Sequence, residues 1–137
     1  MRVVLDSTIL VSIFSDHDRF HEKALAMYLD IFDEKIEAIV PTLALPETCG
    51  LIRRFFGEQL AIMVEDQLMT LIENDMISVK DLTEDRMEKS VESAIRFSIK
   101  GGDAIFVSLA EETDAQLATF DDELKKKIKD KVNLTKI

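Results

Sequence analysis

The stretch Arg2-Val3-Val4-Leu5-Asp6-Ser7-Thr8-Ile9-Leu10 decides how the chain is read. It opens with a short β-branched apolar run, the signature of a buried strand, and stops on an acid. Two hydroxyl residues follow, and then apolar residues at helical spacing. A carboxylate at the carboxyl end of a buried strand has no apolar reason to be there. In open parallel sheets that edge is where ligands bind. Asp6 is therefore the first candidate ligand of an acidic metal site.

Working outward, strand and helix patterns alternate. Ser7–Phe14 continues as a short helix, and Ser15-Asp16-His17-Asp18 is a polar turn. Helical spacing of Phe20, Ala24, Leu25, Met27, Tyr28, Ile31 and Phe32 predicts a helix from Asp18 to Phe32. Glu37–Val40 is a second apolar run, ended by Pro41. Thr42 is placed to cap a helix that contains Glu47 and stops at Gly57. Another helix fits Glu58–Glu73, with Leu60, Met63, Val64, Leu68, Leu71 and Ile72 on its core side. Ile77-Ser78-Val79 is a third strand, and Thr83 opens a helix to about Ile99. Gly101-Gly102 is expected to break that helix, with Asp103 starting the next. Ala115–Ala118 is a fourth strand, followed by Thr119-Phe120-Asp121-Asp122 and a short helix over Glu123–Lys129. Val132-Asn133-Leu134 offers a last edge strand. The alternation predicts an α/β fold with a central, mostly parallel sheet of four to five strands between helical layers, in one domain over 1–137.

Composition narrows the function classes. The 137 residues are 47% hydrophobic and 32% charged, which predicts a globular chain rather than a disordered one. No apolar run reaches membrane-span length, and the N-terminal run is too short for a signal peptide, so a cytoplasmic location is expected. The single Cys49 excludes an intrachain disulfide framework and a cysteine zinc site. A net charge of −10 argues against broad, non-specific nucleic-acid binding but leaves room for a localised substrate path. Arg53, Arg54 and the lysines at 125, 126, 127, 129, 131 and 136 are the candidates for such a path.

Acids stand at special places along the chain. Asp6 ends the first strand, Glu47 shares a helix face with Leu43 and Leu51, Asp103 follows Gly-Gly, and Asp121 follows the fourth strand. Taken singly, Asp6, Asp103 and Asp121 also suit helix N-caps, and Glu47 suits a solvent-facing position. Taken together they suit a hard divalent cation. Carboxylates brought close repel, and a cation with oxygen ligands resolves the repulsion. Bound Mg²⁺ or Mn²⁺ lowers the pKa of water and supports in-line phosphodiester displacement.

These residues resemble the motifs of PIN-domain ribonucleases, and among them the VapC-type toxins of toxin–antitoxin pairs. The likeness lies in Val-Leu-Asp6-Ser-Thr, in Leu-Pro-Glu47-Thr-Cys-Gly-Leu-Ile-Arg-Arg, in Gly-Gly-Asp103-Ala-Ile-Phe-Val-Ser-Leu-Ala, and in Leu-Ala-Thr-Phe-Asp121-Asp-Glu-Leu. The resemblance implies a three-layer α/β/α PIN-like fold and Mg²⁺- or Mn²⁺-dependent cleavage of single-stranded RNA, leaving 5′-phosphate and 3′-hydroxyl ends. It also implies homodimers or higher homo-oligomers and inhibition by a small antitoxin. Asp6, Glu47, Asp103 and Asp121 would be catalytic and metal-binding. Thr8 and Thr119 would be supporting polar residues. Asp122 is an alternate last ligand, Asp121 being preferred because it keeps the Thr-x-Asp spacing.

Two other functions compete. One is a catalytically weak PIN-like domain that binds a protein partner. The other is an acidic Mg²⁺ phosphotransferase, which usually carries Asp-x-Asp after the first strand, whereas residue 8 is Thr. His17 and His21 have the spacing of a helical metal pair but lack a third ligand nearby, and an exposed polar face is the simpler role. Cys49 reads as a small buried hydrophobe rather than a nucleophile. Phe55, Phe56, Phe97 and Phe106 suit a core or dimer surface, with base stacking as the sharper alternative.

Overall fold

A computed structural model describes residues 1–137. The elements run β1 (Arg2–Leu5), α1 (Ser7–Phe14), α2 (His21–Phe32), β2 (Glu37–Pro41), α3 (Ala44–Phe56), α4 (Glu58–Glu73), β3 (Ile77–Lys80), α5 (Glu84–Phe97), α6 (Gly101–Glu112), β4 (Gln116–Ala118) and α7 (Asp122–Ile128). The strands form one sheet in the order β3-β2-β1-β4, and every pairing is parallel.

Side chains alternate between the two faces of a strand, so a strand covered on both faces must be apolar throughout. Val3, Val4 and Leu5 of β1 are all fully buried, as are Ala38, Ile39 and Val40 of β2. Helices therefore cover both faces, in the three-layer arrangement expected. On one face α6 packs against β1, β2 and β4, with α5 against α6; elsewhere α3 pairs with α4, and α1 with α2 and α3. The core is one contiguous cluster that runs from Val3 to Val132.

The strand order places a switch point between β1 and β4. From β1 the chain steps outward through β2 to β3, then returns to lay β4 on the other side of β1. The crossovers on either side lead away in opposite directions, which opens a crevice at the carboxyl ends of these two strands. Val4 pairs with Leu117 and Leu5 with Ala118, and the Asp6 amide donates to the Ala118 carbonyl at 3.2 Å. The residues that leave β1 and β4 are thus held side by side.

Several expectations are corrected. Helix α2 starts at His21, because Asp18 closes a turn: its Oδ1 accepts from the Phe20 amide at 2.8 Å and from the Ser12 hydroxyl at 2.9 Å. Thr42 does not cap α3. Its amide donates to the Lys80 carbonyl at 3.1 Å, extending the β2–β3 ladder, and the helix starts after Leu43 with no side-chain cap. Gly101-Gly102 does not break α5. That helix ends at Ser98, which is left-handed at φ 55°, and the glycines form the first turn of α6 with Asp103 behind them. The proposed last strand is one parallel bridge between Leu134 and Leu117, not a ladder. Met63, expected on the core side of α4, is 54% exposed, and Leu25 and Phe32, at the helically spaced apolar positions of α2, are 38% and 49% exposed. No helix is long and apolar enough to cross a membrane.

Candidate functional site

Asp6 follows β1 directly and serves as the N-cap of α1. Its Oδ1 accepts from the Thr8 hydroxyl at 2.5 Å and from the Ile9 amide at 3.2 Å. Capping and site membership are therefore compatible, since both bonds use one oxygen. The residue is 6% exposed. Burial pushes its carboxyl from 3.8 up to about 6, against the opposing pull of the Thr119 and Thr8 hydroxyls and the Ile9 and Thr8 amides.

Thr8 links the two strand ends. While its hydroxyl donates to Asp6, the same oxygen accepts from the Phe120 amide at 2.9 Å. Thr119, fully buried, does the equivalent work one residue earlier in the opposite loop: its hydroxyl faces Asp6 and accepts from the Asp121 amide at 3.0 Å. Asp121 then caps α7, its Oδ1 accepting from the Glu123 and Leu124 amides at 3.0 and 3.1 Å. Asp122 is the first residue of α7 and is exposed.

Glu47 lies in the first turn of α3, where a carboxylate complements the helix dipole. The Ser7 hydroxyl donates to its Oε1 in a short hydrogen bond. Its Oε2 lies against the first turn of α6, 3.5 Å from where a Cβ on Gly102 would stand. Asp103 is the next residue on that turn. Burial raises its carboxyl above the usual range, and the negative charges of Asp121 and Glu47 raise it further, while Lys100 and Lys127 oppose them. Carboxylates from α3, α6 and the β4–α7 loop therefore act on one another electrostatically, and Ser7 connects them to the β1 end.

The side chains as placed form no group of three or more acids, histidines or cysteines at metal-ligating distance. Three of the carboxylates each have one oxygen engaged locally: Asp6 with Thr8 and Ile9, Glu47 with Ser7, Asp121 with the start of α7. All are hard oxygen donors of the kind Mg²⁺ and Mn²⁺ prefer. The donor chemistry fits such an ion.

Ser7 has no role legible in the sequence, and its link to Glu47 supplies one. Sequence reasoning also missed Lys100 and, beyond a general lysine run, Lys127, whose Nζ donates to the Ser98 carbonyl at 2.9 Å. Neither has a signal in local sequence, because both matter through packing of α5, α6 and α7. His17 is exposed, and His21 Nδ1 lies 2.7 Å from the Ser12 carbonyl, so the two do not form a metal pair. Phe97 and Phe106 are buried, Cys49 packs half-buried against the core, and Phe55 is exposed.

An open parallel α/β sheet with an acidic crevice at its switch point defines a broad class of phosphate- and metal-handling proteins. Comparison narrows it: the sequence profile described as PIN domain matches residues 3–129. The chain belongs to the PIN domain family. Solved structures agree on the fold. The VapC20 toxin of Mycobacterium tuberculosis, described as cleaving the sarcin–ricin loop, is 18% identical, with 90% of this chain and 93% of that one covered at a TM-score of 0.74. VapBC2 of Rickettsia felis, bound to a promoter DNA fragment, is 14% identical, with 98% of each chain covered at 0.71. A toxin–antitoxin complex from Klebsiella pneumoniae is 16% identical, covering 98% and 96% at 0.69. No curated protein sequence matches the chain.

Proposed function

We propose that this chain is a metal-dependent endoribonuclease acting on single-stranded RNA, the toxin of a toxin–antitoxin pair. The observation that carries the reading is the buried carboxylate of Asp6 at the β1–β4 switch point, with Ser7 beside it bonded to Glu47 and the charges of Asp121 and Glu47 acting on Asp103. A buried, unpaired carboxylate costs stability, and a fold that keeps one at a ligand crevice has a use for it. Membership of the PIN family and the fold shared with toxins support the same reading.

Asp6, Glu47, Asp103 and Asp121 would hold Mg²⁺ or Mn²⁺, chiefly through oxygens not already engaged by Thr8, Ser7 and the start of α7. Such an ion supplies a water of lowered pKa and charge stabilisation for a phosphodiester. Around it the chain's own residues have separate tasks. Thr8 and Thr119 orient Asp6 and tie the two strand ends together. Ser7 fixes Glu47. Lys100 and Lys127 offset the acids at Asp103. A small antitoxin and a second copy of the chain are the protein partners. The stripe of Met87, Val91 and Ile95 on α5, exposed at 44%, 49% and 78%, is apolar surface available for them.

The test is cleavage of a labelled single-stranded RNA in Mg²⁺ and in Mn²⁺ by the parent chain, Asp6→Asn and Asp103→Asn. Loss of metal-dependent cleavage in both variants is expected; full activity in both refutes the site. The second reading, a catalytically weak module for protein partners, draws on the −10 charge and the exposed apolar residues. Calorimetric titration with Mn²⁺ separates the two, because the module needs no metal affinity.

A further inference from the structure

Next to the acidic crevice lies a second feature that the acids do not use. A cavity of about 450 Å³ opens between the start of α1, the α1–α2 turn, the end of α3 and the β4–α7 loop. Its volume is within the ~300–1,000 Å³ typical of small-ligand sites. Thr8, the residue that holds Asp6, also lines it, so the cavity adjoins the Asp6 end of the crevice.

The walls are aromatic. Phe20 and Phe120 are stacked face to face, with centroids 4.4 Å apart and planes 9° apart. Phe56 adds a third ring, and Phe55 a fourth that is 71% exposed although it lines the cavity. The rim is cationic in a chain of net charge −10: the Arg19 guanidinium lies 4.5 Å from the Phe20 ring centre and that of Arg54 5.9 Å from the Phe55 ring centre. One carboxylate, Asp18, also lines the cavity. Its intramolecular bonds from Ser12 and Phe20 both go to Oδ1, so Oδ2 remains as an acceptor.

We infer that this cavity is a nucleobase subsite for the nucleotide beside the scissile phosphate. The inference rests on the ribonuclease reading and deepens it. Phe20 lies between Phe120 and the Arg19 guanidinium, so the exposed Phe55 ring is the one with a face free to stack on any base, and the arginines at the rim complement a phosphodiester backbone, not a basic or purely apolar partner. Thr8 sets the register: a strand with a phosphate at Asp6 brings the adjacent base to the cavity. Asp18 adds an acceptor, which favours guanine, the base whose pairing edge presents two adjacent donors. A carboxylate in this position disfavours a base that offers only acceptors to it.

The experiment uses the full chain, a pool of single-stranded RNA of randomised sequence, and Mn²⁺, with the cut ends mapped by sequencing. Binding of a labelled RNA oligonucleotide in EDTA, measured by fluorescence anisotropy, accompanies it. Phe55→Ala removes an exposed ring and leaves the core intact. It should weaken RNA binding and raise KM about 10-fold, at the lower end of the range for one stacked base, with kcat changed far less. Asp18→Asn keeps Oδ1 and replaces Oδ2 by a donor; it should move the base preference beside the cut away from guanine. If the parent chain cleaves and neither variant changes binding, KM or base preference, the subsite is refuted and the nuclease stands. If the parent binds RNA in a Phe55-dependent way without cleaving it, the subsite stands and the nuclease reading fails. If the parent neither binds nor cleaves, both fail. Weaker binding of a protein partner by Phe55→Ala, with RNA binding unchanged, assigns the cavity to that partner and overturns the inference.

Discussion

Replacing Asp6 by Asn should make the metal-free protein more stable at neutral pH, and by an amount that depends on pH. The Asp6 carboxyl is raised by burial from 3.8 to about 6. Well below pH ~4, at about pH 3, it is protonated in both folded and unfolded chains and costs almost nothing. Between pH ~4 and ~6 the unfolded chain releases the proton and the folded one keeps it, so stability falls as pH rises, by up to ~1.4 kcal/mol per unit. Above pH ~6 the group is ionised in both states and the folded chain bears the full cost, about 3 kcal/mol for a shift of this size. Asn caps a helix as well as Asp does, so α1 keeps its start, and nothing at position 6 titrates. Urea denaturation in EDTA of the parent and Asp6→Asn at pH 4 and pH 7.5 gives the comparison. The two should lie within about 0.5 kcal/mol of each other at pH 4, and the variant should lead by about 2–3 kcal/mol at pH 7.5. Mn²⁺ should then stabilise the parent and leave Asp6→Asn nearly unmoved, because only an ion that binds the folded state shifts the balance. A gap between the two proteins that does not change from pH 4 to 7.5 would refute the account of Asp6 as a desolvated acid.

Three further substitutions probe the surroundings. Thr8→Val removes the hydroxyl between Asp6 and the Phe120 amide; thermal or urea melts should show a loss of about 1–3 kcal/mol, since the amide keeps no partner. Thr48→Val should raise stability by about 1 kcal/mol in the same melts, because the Thr48 hydroxyl is fully buried and has no hydrogen bond. Asp121→Asn retains the α7 cap and should abolish RNA cleavage, whereas Asp122→Asn, at an exposed position, should cleave like the parent; the reverse result would make Asp122 the ligand.

The fold was legible where burial on both faces leaves an unbroken apolar run. Val3-Val4-Leu5 and Ala38-Ile39-Val40 read directly as strands of a parallel sheet, and Asp6 stood out because it ended one. The links that make the ends of β1 and β4 into a crevice were not legible. Thr8 meets Phe120 across 112 positions of sequence, and Ser7 meets Glu47 across 40. No local pattern encodes either, because both depend on which strands become neighbours. Thr42 misled for a related reason: a hydroxyl ahead of a helix looks like a cap, but its amide was claimed by Lys80 on the adjacent strand. Gly101-Gly102 misled through propensity, which is weak next to packing. Leu25 and Met63 show that helical spacing gives the direction of a buried stripe but not its width. On α2 only Ala24, Met27 and Ile31 are buried, and on α4 only Val64, Leu68 and Leu71.

The place of β4 between β1 and the C-terminal segment sets a timetable for synthesis. Thr8 leaves the ribosome early; Phe120, its partner, follows 112 residues later. At about 5–20 residues per second that interval is roughly 6–20 seconds. Even then β4 is unsupported on its outer edge until Asn133 accepts from the Leu117 amide at 2.8 Å and Thr135 donates to the Leu117 carbonyl at 2.9 Å. The β1–β4 end of the crevice cannot form on a chain that lacks β4. If the protein cuts RNA, it is harmless to its own message at least until Phe120 has been made, and a binding partner already present in the cell has that interval to be waiting.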